Sequence, residues 1–258
     1  MYLPGVTERE FLVFILVLVR MTGLFVIAPV FGNRSVPAQI KVGLAFAASV
    51  VAWPLAAEPV FAVPGSVWAL ASLVGSELLI GAVVGYVALL VFAAVQLAGQ
   101  VVDMQMGFGL ANIVDPSWGG QVTVLGQFKF LVATLLFLAA NGHHSVVGGV
   151  VASYRAIPLG AASFGPEVFS LLVAEFSAVF SSAVRVALPV VAALIAAELA
   201  LGVLSRSVPH MNVLMVGFPL KIVIGLGVMV LALPGMCDYL LVAFREMRGD
   251  IISALRAF

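Results

Sequence analysis

Six apolar stretches, at residues 11–31, 39–56, 67–99, 124–152, 168–204 and 211–234, leave this chain few choices of fold. Helix spans a bilayer's hydrocarbon core with about 20 apolar residues. Inside that core each backbone N–H and C=O must be satisfied within the segment or within a closed barrel. Runs of this length read as helices. Only 9% of residues are charged and 63% are hydrophobic, against roughly 25% charged in a soluble domain. The expected class is therefore an all-α integral membrane protein, with about six long apolar helices arranged as hairpins.

The run lengths are uneven. Residues 67–99 and 168–204 exceed one simple crossing, while 39–56 is short. Long runs tilt steeply, stand clear of the membrane or bend back. Pro189, well inside the fifth run, is expected to kink or break it. Breakers at 32–38 (GNRSVPA), 57–66 (AEPVFAVPGS), 155–166 (RAIPLGAASFGP) and 205–210 (SRSVPH) read as loops. The tail MCDYLLVAFREMRGDIISALRAF mixes apolar and charged positions at helical spacing, as an amphipathic end helix does. Glu8, Arg9 and Glu10 give the leading region a negative balance, and Arg20 interrupts the run behind them. That pattern suits a retained first helix rather than a cleavable signal. Arg34-Ser35-Val36-Pro37 recurs as Arg206-Ser207-Val208-Pro209. Common junction residues or a duplicated helix–loop–helix unit both account for it.

Eight ionisable residues lie in or beside the runs: Arg20, Glu77, Asp103, Lys129, Glu175, Arg185, Glu198 and Lys221. A charge at mid-span costs roughly 2.5–3.5 kcal/mol on insertion scales, so each needs a protein interior, an aqueous path or an opposite charge. Their signs balance, and pairing between helices or with other subunits would satisfy them all. Lys129 and Lys221 are long enough to snorkel to an interface instead. Counting Lys and Arg on alternate sides of six spans sets Arg9, Arg155, Arg245, Arg248 and Arg256 against Arg34, Lys41, Lys129 and Arg206, which fixes no orientation. Small residues four apart, Gly81 with Gly85, Gly43 with Ala47, and Gly217 through Gly225, suit close helix packing.

Twelve Lys plus Arg balance twelve Asp plus Glu, and no nucleic-acid-binding signature is present. The single cysteine, Cys237, rules out an intrachain disulfide and a cysteine metal cluster. His143 and His144 end an apolar run with Ser145 next, but no GxSxG elbow or HExxH accompanies them. As neighbours they are expected on different sides of a helix, and His210 is remote. No nucleotide or haem motif occurs. The chain is read as a non-enzyme without metal or cofactor.

The segment MQMGFGLANIVDPSWGGQ, residues 104–121, cannot continue as smooth helix. Irregular backbone at membrane depth survives only where protein buries it or a cavity adjoins it.

The order of several stretches resembles the flagellar biosynthetic protein FliR family, counterpart of the T-type export-apparatus proteins of virulence type III secretion systems. They are Arg20 with Ala28-Pro29, RSVPAQIKVGLA (34–45), ELLIGAVVGY (77–86), AGQVVDMQMGFGLANIVDP (98–116) and LFLAANGHH (136–144). ALPVVAALIAAELALGVLSRSVP (187–209) and MNVLMVGFPLKIVIGL (211–226) complete the series. Gln100 stands where the family pattern has an acidic residue, with Asp103 three positions later.

The resemblance implies one export-gate domain, 1–258, of which about 1–200 is similar to the larger partner and about 201–258 to a small two-helix partner. It implies a helical hetero-oligomer with those two smaller export-gate membrane proteins, and contacts with the export switch and proton-coupled export proteins. Unfolded export substrates would pass through it, in the bacterial inner membrane at the flagellar basal body. A loop carrying Met104, Met106, Gly107, Phe108, Gly109, Ile113, Asp115, Pro116 and Trp118 would plug the conduit; methionine suits a seal that yields and re-forms. Arg20, Glu77, Asp103, Arg185, Glu198 and Lys221 would be buried charges serving assembly. Without the resemblance, the rival reading is a secondary transporter of a small solute or ion with discontinuous helices at 104–121. A hydrolase around His143 and His144 is more remote.

Overall fold

A computed structural model describes residues 7–33, 36–56, 64–108, 123–207 and 213–258. Seven helices account for nearly all of them, with no strand among the described residues: α1 (Glu8–Ile27), α2 (Ala38–Ala52), α3 (Val67–Met106), α4 (Val124–Ala139), α5 (Gly142–Ala156), α6 (Pro166–Ser207) and α7 (Val213–Arg256). A 3₁₀ turn, Trp53–Ala56, extends α2. Five of the helices are long and apolar enough to cross a membrane, or six spans if α4 and α5 together make one. The membrane-protein class expected from the runs is therefore observed.

Helix α1 begins with a reciprocal cap. The Thr7 hydroxyl accepts from the Glu10 amide at 3.2 Å, and the Thr7 amide donates to the Glu10 carboxylate at 2.7 Å. Each bond satisfies an amide that has no partner within the helix.

Helices α3, α6 and α7 contain 40, 42 and 44 residues. At 1.5 Å per residue each is about 60 Å long or slightly more, about twice a bilayer core. The long runs are thus single long helices. Two expectations need correction. Pro189 does not break its run, because α6 continues through it, and α7 likewise passes through Pro219 and Pro234. Proline removes one amide donor, and membrane helices absorb that loss where neighbouring groups re-satisfy the carbonyl. The amphipathic tail is not a separate helix but the end of α7. Run 124–152 moves the other way, being broken at Asn141, whose φ of 55° is left-handed.

The chain forms two compact units. The first comprises Met1–Leu90, Leu138–Phe176 and Phe244–Phe258. Here α1 buries Val13, Leu16, Val17, Met21 and Leu24, spaced three and four apart on one face. Its backbone touches α3 directly. A Cβ on Gly81 would overlap the Arg20 carbonyl oxygen, and one on Gly23 would overlap that of Leu78. A Cβ on Gly85 would stand 3.1 Å from the Leu24 oxygen. The GxxxG pair of α3 is therefore a helix crossing. Gly43 behaves differently, having nothing within 4 Å of its missing Cβ.

The second unit comprises Val91–Phe137 and Ser177–Ala243. Phe92 of α3 meets Phe130 and Phe137 of α4, with ring centroids 5.5 and 5.4 Å away. Gly99 of α3 lies against the backbone of Gly126 on α4. Tyr239 of α7 donates to the Ser182 hydroxyl of α6 at 2.8 Å.

Candidate functional site

The charged residues of the apolar runs fall into three settings. The first is enclosed in the first unit. Arg20 Nε donates to Glu77 Oε2 at 2.6 Å, and Nη1 donates to the Ser153 hydroxyl at 2.9 Å and the Ile157 carbonyl at 3.1 Å. Glu77 Oε1 accepts the Gly160 amide at 3.0 Å, tying in the turn after α5. The guanidinium carbon lies 4.6 Å from the Tyr154 ring centre, and the Tyr154 hydroxyl donates to the Val17 carbonyl at 3.2 Å. Arg20, Glu77 and Ser153 are each 0% exposed. This node joins α1, α3, α5 and the following turn, and the Gly81 crossing brings α3 near enough for Glu77 to reach. Arg20 Nη2 alone has no hydrogen-bond partner among the described residues. No sequence pattern pointed to Ser153, Tyr154 or Gly160.

The second setting is the base of the irregular segment, in the second unit. Helix α3 runs on to Met106, so Met104 and Met106 are helical rather than part of the loop. Met104 is exposed, whereas Met106 is fully buried against Gly225 of α7. The chain turns at Gly107, φ 91°, under the Phe218 ring, whose edge leaves no room for a Cβ. Phe108 follows, half-buried, its amide donating to the Asp103 carbonyl at 3.0 Å. Gly109, Ile113, Asp115, Pro116 and Trp118 lie outside the described residues. On the far side, the Asp103 carboxylate accepts the amides of Leu125, at 3.1 and 3.2 Å, and Gly126, at 3.3 Å. Asp103 thereby caps α4 from the end of α3.

Lys129, one turn along α4, is 2% exposed, and its Nζ has no hydrogen-bond partner among the described residues. Its side chain is buried among protein groups, so the snorkelling expectation does not hold for it. Only its position inside an apolar run marked it in the sequence.

The third setting is open. Lys221 of α7 pairs with Glu198 of α6, their side chains 17% and 43% exposed. Arg185 is exposed and Glu175 half-buried. In the second unit α6 presents Phe180, Leu188 and Leu199 to the outside.

His143 and His144 open α5 rather than ending a run, and their ring centroids are 4.2 Å apart rather than on different sides. Even so, no group of three or more His, Cys, Asp or Glu that could hold a metal gathers among the described residues. The charged sites here are ion pairs and caps that fasten helices.

Comparison with known proteins bears on these features. The family described as "Bacterial export proteins, family 1" matches residues 11–247. The flagellar biosynthetic protein FliR of Bacillus subtilis (strain 168) is 39% identical over 214 residues, 82% of each chain. FliR of Escherichia coli (strain K12) is 32% identical over 244 residues, 92% of each chain. FliR of Aquifex aeolicus (strain VF5) is 32% identical over 237 residues, 89% of this chain and 88% of its own.

Proposed function

The chain belongs to the bacterial export proteins of family 1, and from that membership we propose that it forms and plugs part of the conduit of the flagellar export gate. It is a membrane component of the flagellar type III export apparatus, in the bacterial inner membrane. Within that apparatus its part is mechanical rather than catalytic. It joins the two smaller export-gate membrane proteins and meets the export switch and proton-coupled export proteins, while unfolded substrates pass along the conduit.

The observation that carries the plug reading is that the end of α3 and the start of α4 are fastened to each other. Asp103 holds the start of α4, Met106 is buried against Gly225, and Gly107 turns beneath Phe218. A segment whose two ends are tied can be displaced and return to the same place. The residues assigned to the seal are Met104, Met106, Gly107, Phe108, Gly109, Ile113, Asp115, Pro116 and Trp118. The 60 Å helices support a gate that is not a simple set of bilayer crossings. The outward apolar face of α6 is available for burial against other helices of the assembly.

The test is the mass and composition of the complex extracted from native membranes in mild detergent. A stable hetero-oligomer holding one copy of this chain with both smaller membrane proteins supports the gate. A monomer or homodimer that binds a small solute overturns it in favour of a transporter.

A further inference from the structure

Asp103 and Lys129 are both enclosed, at 3% and 2% exposure, and of opposite charge, yet they do not bond to each other. The carboxylate is spent on two backbone amides, while the ammonium has no hydrogen-bond partner among the described residues. A buried ammonium left so is costly, and such groups are normally paired. Lys129 lies four residues after Leu125 and three after Gly126, on the same face of α4. Helical side chains lean back toward the N-terminus, so the Lys129 stem points toward the turn that Asp103 caps. The cap spreads one carboxylate over two backbone amides, at 3.1, 3.2 and 3.3 Å, whereas an ammonium would offer it a charge-assisted bond.

We infer that Asp103 and Lys129 form a two-position clasp on the start of α4. In the position observed, the carboxylate holds the Leu125 and Gly126 amides and fastens α4 to the end of α3. In the other, it swings to the Lys129 ammonium and frees those amides, unfastening α4 from the end of α3. Lys129 is thus a positioning residue, acting through Asp103. The significance for export rests on the plug reading above; the clasp itself does not.

Hydrogen exchange of the peptide containing Leu125 and Gly126, in the full chain extracted from its native membrane, tests it. Lys129→Met removes the second position, so exchange at those amides should slow by about fivefold, the factor one net hydrogen bond is worth. Lys129→Arg offers a fork that grips a carboxylate better, and exchange should quicken by a similar factor. Asp103→Asn should also quicken it. If both Lys129 variants shift exchange in one direction, or neither shifts it, Lys129 is only a static counter-charge and the clasp is wrong. Where the Asp103 variant does not accumulate, the two Lys129 variants still decide. Opposed shifts in a chain that fails to co-purify with other membrane proteins would keep the clasp and overturn the gate.

Discussion

Two ion pairs built from the same chemistry meet opposite fates in this molecule. Arg20 and Glu77 are wholly enclosed, and Ser153, Ile157, Gly160 and Tyr154 add contacts that leave only the Arg20 Nη2 of this pair without a hydrogen-bond partner among the described residues. Lys221 and Glu198 have one another and an open side, with 17% and 43% of their side chains exposed. Desolvating two charges is repaid only when geometry is good and further hydrogen bonds take up the remaining donors and acceptors. The first pair meets that condition inside the chain, so it is part of folding. The second is left where another helix can reach it, among outward apolar residues of α6, so its full worth depends on what covers it.

The largest effect should come from breaking the enclosed pair. Glu77→Ala leaves a buried guanidinium without its counter-charge, and removing one partner of a buried pair costs about 3–5 kcal/mol. The expected outcome is loss of stable protein from the membrane fraction. A double variant, Arg20→Met with Glu77→Leu, should recover much of that loss, since replacing both partners by apolar groups is often neutral. If Glu77→Ala accumulates and melts in detergent like the parent, the node is not part of folding.

A second comparison sharpens the helix crossing that positions the node. Gly81→Ala places a methyl group on the Arg20 carbonyl oxygen and should cost about 1–3 kcal/mol through overpacking. Gly43→Ala, with nothing within 4 Å, should change the melting temperature little. Equal losses at the two glycines would mean that the crossing is not close.

The smallest effect on the chain alone is expected at the open pair. Glu198→Gln should cost about 0.2–1 kcal/mol at most, because exposed pairs are screened. The complex, however, should lose yield sharply when Glu198 or Arg185 is neutralised, as measured by co-extraction of the partner membrane proteins. Normal assembly with loss of proton-driven export would instead make these residues part of a proton path.

Much of this was legible in the residues. Arg20 sits near the centre of an apolar run, where no interface is in reach, so its burial followed from length alone. Its partner did not: Glu77 is 57 positions away, and any of the four acidic residues in the runs balanced its charge equally well. For Lys129 the sequence leaves both snorkelling and burial open, because the length of a lysine stem is a local property; its 2% exposure is a result of tertiary packing. Helical spacing puts His143 and His144 on different sides of a helix, whereas their ring centroids lie 4.2 Å apart. Pro189 was read from its missing donor, although the surrounding helix carries on past it.

By itself the sequence determined the medium and the element type. Apolar runs of this length have no stable alternative to helix in lipid, and charges within them must find company. Family membership was legible too, since order and spacing survive without coordinates. Only the tertiary structure decided which charges pair, where the long helices touch through glycine, and that Asp103 at the end of α3 holds the amides of α4. Those outcomes depend on separations of a few ångströms between residues distant in the chain, and neither periodicity nor composition encodes such distances.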